Sequence, residues 1–183
     1  GIGPALITAT AQASLRSYVR VLGEPAAVVG MLAEDLAGRM DDGMFLTLFL
    51  AYLQSNGEVQ VLNAGHPPPL VWRRATASME RIPNTGPAIG MMPDFPYAEG
   101  PKLVLEPGDI LLAFTDGMLE ARHTHRPDRM FGEEGIRAVL AEMGTTAASA
   151  REIVETLVRS VSTFAAGAPG DDQTVVAVRR TLG

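Results

Sequence analysis

Two short acidic steps, far apart along the chain, hold the residue types best able to do chemistry. The first is Thr115-Asp116-Gly117, inside the stretch Ile110 to Glu120, ILLAFTDGMLE. Five apolar residues lead straight into it, so Asp116 stands where a fully buried strand would leave the core. The second is Gly170-Asp171-Asp172-Gln173-Thr174, just before the apolar run Val175 to Val178. Two adjacent strands would bring these carboxylates together, and like charges converging at the end of a hydrophobic sheet repel unless a cation or a proton neutralises them. All-oxygen donors of this kind suit hard divalent ions such as Mg²⁺ or Mn²⁺. Each step also has a purely conformational reading. Asp-Gly after a strand makes a turn, because Gly accepts positive φ and Asp bonds locally, and Gly-Asp-Asp makes a solvated one.

Other polar candidates are weaker. His66 lies in Asn63-Ala64-Gly65-His66-Pro67-Pro68-Pro69, where a lone histidine more often orders a rigid loop through hydrogen bonds than ligates a metal or acts as an acid. His123 and His125 form a His-x-His pair, a spacing that can hold metal. They lie in ARHTHRPDR, however, a segment polar enough to read as a solvated loop. Arg73, Arg74 and Arg81 make one neighbourhood basic enough to attract a phosphorylated partner. Exposed arginines beside a strand are the plainer account.

The elements that must position Asp116 and Asp171 follow from periodicity. Residues 4 to 22 are Ala- and Leu-rich with Pro4 at the first turn, and Gly23 ends that helix. A second helix runs from Pro25 to about Met40, with Val28, Leu32, Leu36 and Met40 along one row, and should pair with the first. Met44 to Leu53 is apolar on both alternating faces, as expected of a central strand covered on both sides. Ser55-Asn56-Gly57 turns the chain into Glu58 to Asn63, an antiparallel hairpin. Short strands follow at Leu70 to Arg73 and near Met79 to Ile82. Lys102 to Leu105, the turn Pro107-Gly108-Asp109 and Ile110 to Phe114 read as a further hairpin that delivers Asp116. Gly132 to Met143 is a predicted helix. Ser149 and Glu152 have capping-box spacing at the start of another, running to about Phe164. The loop Ala165 to Gly170 then leads to Asp171 and the last strand. This order argues for an α+β domain with antiparallel sheets between helical layers.

The 183 residues are enough for one domain with a substantial core. The longest apolar runs are far too short to span a bilayer, and no stretch has the form of a signal peptide. Cysteine is absent, which removes a disulfide framework and thiolate metal sites and fits a cytoplasmic protein. A net charge of -6 argues against a general nucleic-acid binder, which needs clustered Lys and Arg.

Four stretches, NAGHPPPL at Asn63 to Leu70, GDILLAFTDGMLEA at Gly108 to Ala121, FGEEGI at Phe131 to Ile136 and GDDQTVVAV at Gly170 to Val178, occur in one register. Together they resemble the bacterial branch of the metal-dependent (PPM) protein phosphatases, the serine phosphatases of the stage II sporulation protein E and sigma-B regulator type, relatives of protein phosphatase type 2C. The resemblance implies an α-β-β-α sandwich with antiparallel central sheets and a site for two Mn²⁺ or Mg²⁺ ions. Asp116 and Asp171 fall on its metal-ligand positions, and Asp172 beside them is a third candidate. His66 falls in a characteristic segment but not on a ligand position. The implied activity is removal of phosphate from phosphoserine or phosphothreonine of a regulatory partner such as an anti-sigma-factor antagonist, by a metal-bridging hydroxide that attacks phosphorus in line.

In that family an acidic motif, Asp-x-x-Gly-His-Gly, immediately precedes the first helix seen here, and Gly1 matches its last glycine. The first metal-binding motif and the N-terminal strands are then expected outside residues 1–183, which form the C-terminal portion of a single phosphatase domain. By themselves these residues should bind metal weakly and catalyse little, whereas the parent protein should be active. The resemblance further implies an upstream sensor or receiver domain, and a switch or homodimer surface on the two N-terminal helices. The competing expectation is a non-catalytic phosphatase-like module that binds a signalling partner. Retention of both Asp116 and Asp171 favours the enzyme.

Overall fold

A computed structural model describes residues 2–41, 43–166 and 171–181. In chain order the elements are α1 (Ile2–Val21), α2 (Pro25–Leu36), β1 (Leu48–Leu53), β2 (Glu58–Ala64), β3 (Leu70–Arg73), β4 (Ser78–Arg81), β5 (Leu103–Val104), β6 (Ile110–Phe114), α3 (Asp116–Leu119), β7 (Arg122–His123), β8 (Arg126–Met130), α4 (Gly132–Met143), α5 (Ala150–Phe164) and β9 (Val175–Arg179). They fall into two compact units, Gly1–His66 with Pro83–Val104, and Pro67–Ile82 with Leu105–Gly183. Both are mixed α and β with antiparallel sheets, as the periodicity predicts. No helix among the described residues is long and apolar enough to cross a membrane.

In the first unit α1 and α2 pack as the expected pair, and Ser14 Oγ donates to Asp35 Oδ2 across them at 2.6 Å. Val29, Leu32 and Leu36 of α2 are buried in one cluster with Ala11 of α1 and with Leu62 and Ala64 of β2. The second helix stops at Leu36 rather than near Met40. Ala37 leaves helical geometry with ψ 130, and Gly38 follows at φ 75, a position that favours glycine. Met40 still packs against the cluster, from the turn beyond.

The β1-β2 hairpin forms in the register Leu48↔Ala64 through Leu53↔Val59. Its turn closes where Gly57 takes φ 93. Two expectations fail here. The run from Met44 becomes a strand only at Leu48, Leu46 making a single bridge to Ile89, and β1 lies at the edge of the β1-β2-β5 sheet instead of in its centre. Apolar residues on both faces report what covers a strand, not what pairs with its edges. The predicted hairpin between Lys102–Leu105 and Ile110–Phe114 is absent as well. Leu103 and Val104 pair with Val59 and Glu58. The turn between them and β6 is tied to the end of β9, with Gly108 N donating to Arg180 O and Arg180 N to Asp109 O. A turn signal marks where a chain reverses and leaves the partner strand undetermined.

The second unit is the sheet β4-β3-β6-β9, antiparallel throughout, with α4 and α5 on it. Leu70 and Trp72 of β3 and Ile110, Leu112 and Phe114 of β6 share one buried cluster with Ile136 and Leu140 of α4 and Ile153, Leu157 and Val161 of α5. The row Ile153, Leu157 and Val161 is the i, i+4 spacing that puts one helix face on a sheet. The capping box opens α5 as predicted, Glu152 N donating to Ser149 Oγ at 3.2 Å and Ser149 N to Glu152 Oε2 at 2.7 Å. The His-x-His segment is no loop. It forms the β7-β8 hairpin, a two-stranded sheet of its own.

Candidate metal centre at the ends of beta6 and beta9

Asp116 and Asp171 owe their positions to the longest ladder of the second unit. Strand β6, buried except for half-buried Ala113, pairs with β9 from Ile110↔Arg179 to Phe114↔Val175. The two chains therefore leave the sheet side by side, β6 running out into Thr115-Asp116 and β9 running in from Asp171-Asp172. Thr115 fastens them together beyond the ladder. Its N–H donates to Thr174 O at 3.0 Å, its hydroxyl donates to Asp172 O at 3.0 Å, and the hydroxyl accepts from Thr174 N at 2.9 Å.

Asp116 then opens α3, a single turn closed by Glu120 N on Asp116 O at 2.9 Å. Gly117 is buried, and a Cβ there would stand 2.5 Å from Asp172 O and 3.1 Å from Asp171 O. Only a residue without a side chain lets the two acidic steps approach this closely. The structure thus brings together the backbones of Asp116-Gly117 and Asp171-Asp172, which the sequence separates by more than fifty positions.

The carboxylates at this junction are exposed. Asp116 Oδ1 accepts from Gly117 N at 3.0 Å and Asp171 Oδ1 from Asp172 N at 2.8 Å, so each is oriented by the amide of the next residue. No Lys or Arg among the described residues pairs with Asp116, Asp171 or Asp172. Exposed acids without an internal counter-charge can accept one from solution. In type the donors fit a hard divalent cation, which Mg²⁺ illustrates by binding through one or two carboxylates while keeping several waters. In number they are sparse, since no three His, Cys, Asp or Glu side chains among the described residues gather closely enough to hold a metal ion. Gly1, which matches the last glycine of the family's first acidic motif, and Gly170 of the Gly-Asp-Asp step lie outside the described residues.

Most of the remaining sequence candidates have structural partners, and of Arg74 the backbone N–H donates to Asp109 Oδ1 at 2.9 Å. His66 belongs to the first unit, and its backbone N–H donates to Asn63 Oδ1 at 2.9 Å. Asn63, wholly buried, also holds Thr85 N and Gly86 N through its carbonyl, so it orders this loop and was missed by a reading centred on the histidine. Asn in the turn Asn63-Ala64-Gly65-His66 was the available signal. Arg73 is ion-paired with Glu80 and with buried Asp109, both at 2.9 Å, and Arg81 with Glu133 at 2.7 Å. Hydrogen bonds donated to Glu80, then to Asp109, hold the Arg73 guanidinium in its charged form more firmly than usual. His123 Nδ1 accepts from His125 N at 3.1 Å and its ring meets Phe164 edge-on at 5.0 Å, which makes the pair a hairpin brace.

Comparison with known proteins identifies the family and the fold. The model of the stage II sporulation protein E (SpoIIE) family matches residues 1–181. The chain is 25% identical over its whole length to the phosphoserine phosphatase RsbU of Bacillus subtilis, of which it covers 53%. It is 35% identical over 101 residues, 55% of its length, to protein IcfG of Synechocystis, covering 15% of that protein. The chain therefore spans about half or less of these relatives. Among solved structures, the SiaA-PP2C domain of Pseudomonas aeruginosa superposes with a TM-score of 0.80 at 20% identity, over 98% of this chain and 70% of that one. The fold is thus that of PP2C phosphatase domains, and the chain belongs to the stage II sporulation protein E family.

Proposed function

We propose that this chain is the greater part of the catalytic domain of a metal-dependent phosphoprotein phosphatase, and that Asp116 and Asp171 are ligands of its divalent cations, Mn²⁺ or Mg²⁺. The observation that carries the proposal is the Thr115 clamp with the Gly117 contact, which docks two acidic steps at one sheet end with no cationic side chain among the described residues paired to them. A structural turn has no need of such convergence, because like charges brought together raise the free energy of the fold. When bound, the ions would activate a water for attack on phosphorus and offset charge on the phosphoryl oxygens. The chain's own contribution is orientation. The amides of Gly117 and Asp172 each engage one carboxylate oxygen, leaving the other directed by that bond. Asp172 contributes through its backbone carbonyl to the clamp, and its exposed carboxylate is the remaining acid of that step.

The substrate class we infer is phosphoserine or phosphothreonine on a protein, with a phosphorylated anti-sigma-factor antagonist as the partner. The likeness to RsbU, a phosphoserine phosphatase, supports it. Dephosphorylation of such a protein by the full-length enzyme should require Mn²⁺ or Mg²⁺ and stop with EDTA. It should also fall by at least a hundredfold in Asp116→Asn and in Asp171→Asn. Activity that persists through chelation and both substitutions would refute the assignment. A second reading, a phosphatase-like module that only binds a signalling partner, is favoured by the lack of a three-donor cluster among the described residues. That reading predicts partner binding with no turnover under any metal.

A further inference from the structure

The β7-β8 hairpin concentrates positive charge in a chain of net charge -6. Arg122, Arg126 and Arg129 face a single acid, Asp128, between Ala121 and Phe131, and every residue from Thr124 to Met130 is exposed. None of these arginines forms an ion pair with a carboxylate among the described residues. The nearest acids in sequence, Glu120 and Glu133, flank the hairpin, and Glu133 is already paired with Arg81. The hairpin's shape is nevertheless fixed. Arg122 Nη1 donates to Pro127 O at 2.8 Å, and Arg129 lies 5.9 Å above the Phe164 ring. Phe131 N donates to Ala121 O at 2.8 Å, and Thr124 N to Phe164 O at 3.4 Å. Exposed guanidinium groups without a carboxylate partner, carried on a hairpin braced in this way, are what a surface needs to hold carboxylates or phosphates.

Position in the chain connects the hairpin to the acidic junction. Its base at Ala121 is five residues beyond Asp116 and two beyond the end of α3. It is also anchored on Phe164, the last residue of α5, the helix that precedes Asp171. A basic surface that begins shortly after Asp116 and is anchored on the end of α5 suits what would surround a phosphoryl group held at Asp116. We propose that the β7-β8 hairpin is the docking surface for the acidic flank of a phosphorylated protein substrate, with Arg126 and Arg129 supplying the charge. The inference rests on the phosphatase reading for calling that partner a substrate. Nucleic acid fits less well, because three arginines on one small hairpin are far fewer cations than a phosphate backbone requires.

The test is a titration of the full-length protein with a short fluorescent peptide, one phosphoserine among Asp and Glu residues, in Mn²⁺ and in EDTA. Binding should weaken with rising salt, and Arg126→Glu with Arg129→Glu should weaken it roughly tenfold at low ionic strength. The pair Arg126→Lys with Arg129→Lys should bind nearly as the unaltered protein does. Asp128→Asn should bind about twofold more tightly, an effect in the direction that damage to the hairpin cannot produce. Equal affinity of the glutamate pair and the unaltered protein overturns the inference, as does displacement of the peptide by single-stranded DNA of equal charge at equal concentration. The phosphatase reading is scored separately. It predicts an extra preference for the phosphorylated over the unphosphorylated peptide that needs Mn²⁺ and vanishes in Asp116→Asn. An arginine effect retained in EDTA and in Asp116→Asn supports the docking surface whatever the metal does.

Discussion

Replacing Gly117 by alanine isolates the contact that joins the two acidic steps. Its φ is not in the left-handed region, so alanine meets no backbone strain there, and as the better helix former it would by itself favour α3 by up to about 1 kcal/mol. Sterics oppose this. The added Cβ would lie 2.5 Å from Asp172 O, about 0.9 Å inside the 3.4 Å at which ordinary contact begins. Asp172 O must move, and it is the atom that accepts the Thr115 hydroxyl at 3.0 Å. Overpacking of this kind costs about 1–3 kcal/mol, and a weakened hydrogen bond adds about 1. The net expectation is a loss of about 1–3 kcal/mol in urea unfolding, with unchanged dependence on denaturant. Gly30→Ala in α2 is the matched control. Nothing lies within 4 Å of a Cβ there, so that substitution should be neutral or stabilising by up to about 1 kcal/mol. A Gly117→Ala protein as stable as the unaltered one would show that the close approach does not hold the junction, and the reasoning would fall.

Three further outcomes follow from interactions seen elsewhere. Ser149→Ala removes the cap of α5 and should cost about 1 kcal/mol by chemical denaturation, since Glu152 N loses its acceptor. Asp109→Ala deletes a 2% exposed carboxylate that accepts from Arg73 Nη1, Arg74 N and Glu106 N. It should cost about 3 kcal/mol, less if Glu80 holds Arg73 alone, as measured by the same unfolding titration. Acid should destabilise the fold in a defined window. Hydrogen bonds from Ser14, then attraction to Arg39, hold Asp35 below its ordinary 3.8, and hydrogen bonds from Ser149 hold Glu152 below 4.5. Both carboxylates are depressed in the folded state, so their contribution is complete above those ordinary values and is lost as pH falls below them. Melting temperature should be flat above pH 5 and decline below about 4. Asp35→Asn combined with Ser149→Ala should flatten that decline.

How much the sequence discloses depends on which interaction decides each feature. α4, α5, β3, β6 and β9 were legible because local periodicity and a burial pattern agree there, and the Ser149-Glu152 cap is a local signature with one structural solution. The partner of Leu103–Val104 was not legible, since two residues have no periodicity and pairing with Val59 is a long-range choice. The β7-β8 hairpin was hidden by its polarity, because a strand with no buried face shows no alternation. Asp116 and Asp171 could be named from their places at strand ends. The clamp that joins them could not, because nothing local in Thr115 announces that its hydroxyl will bond Asp172 and Thr174 across the ladder. Arg73 and Arg81 show the reverse error, charges that suggest a partner in sequence and find it inside the fold.

The central claim is that Asp116 and Asp171 serve one divalent-cation site. Manganese binding to the full-length protein, followed by electron paramagnetic resonance in Asp116→Asn, Asp171→Asn and the double variant, tests it most directly. Shared coordination predicts that either single change weakens binding more than tenfold and that the double change adds little to it, because the second carboxylate has lost its ion already. Unchanged affinity in both single variants, or two independent losses that simply add, would contradict it.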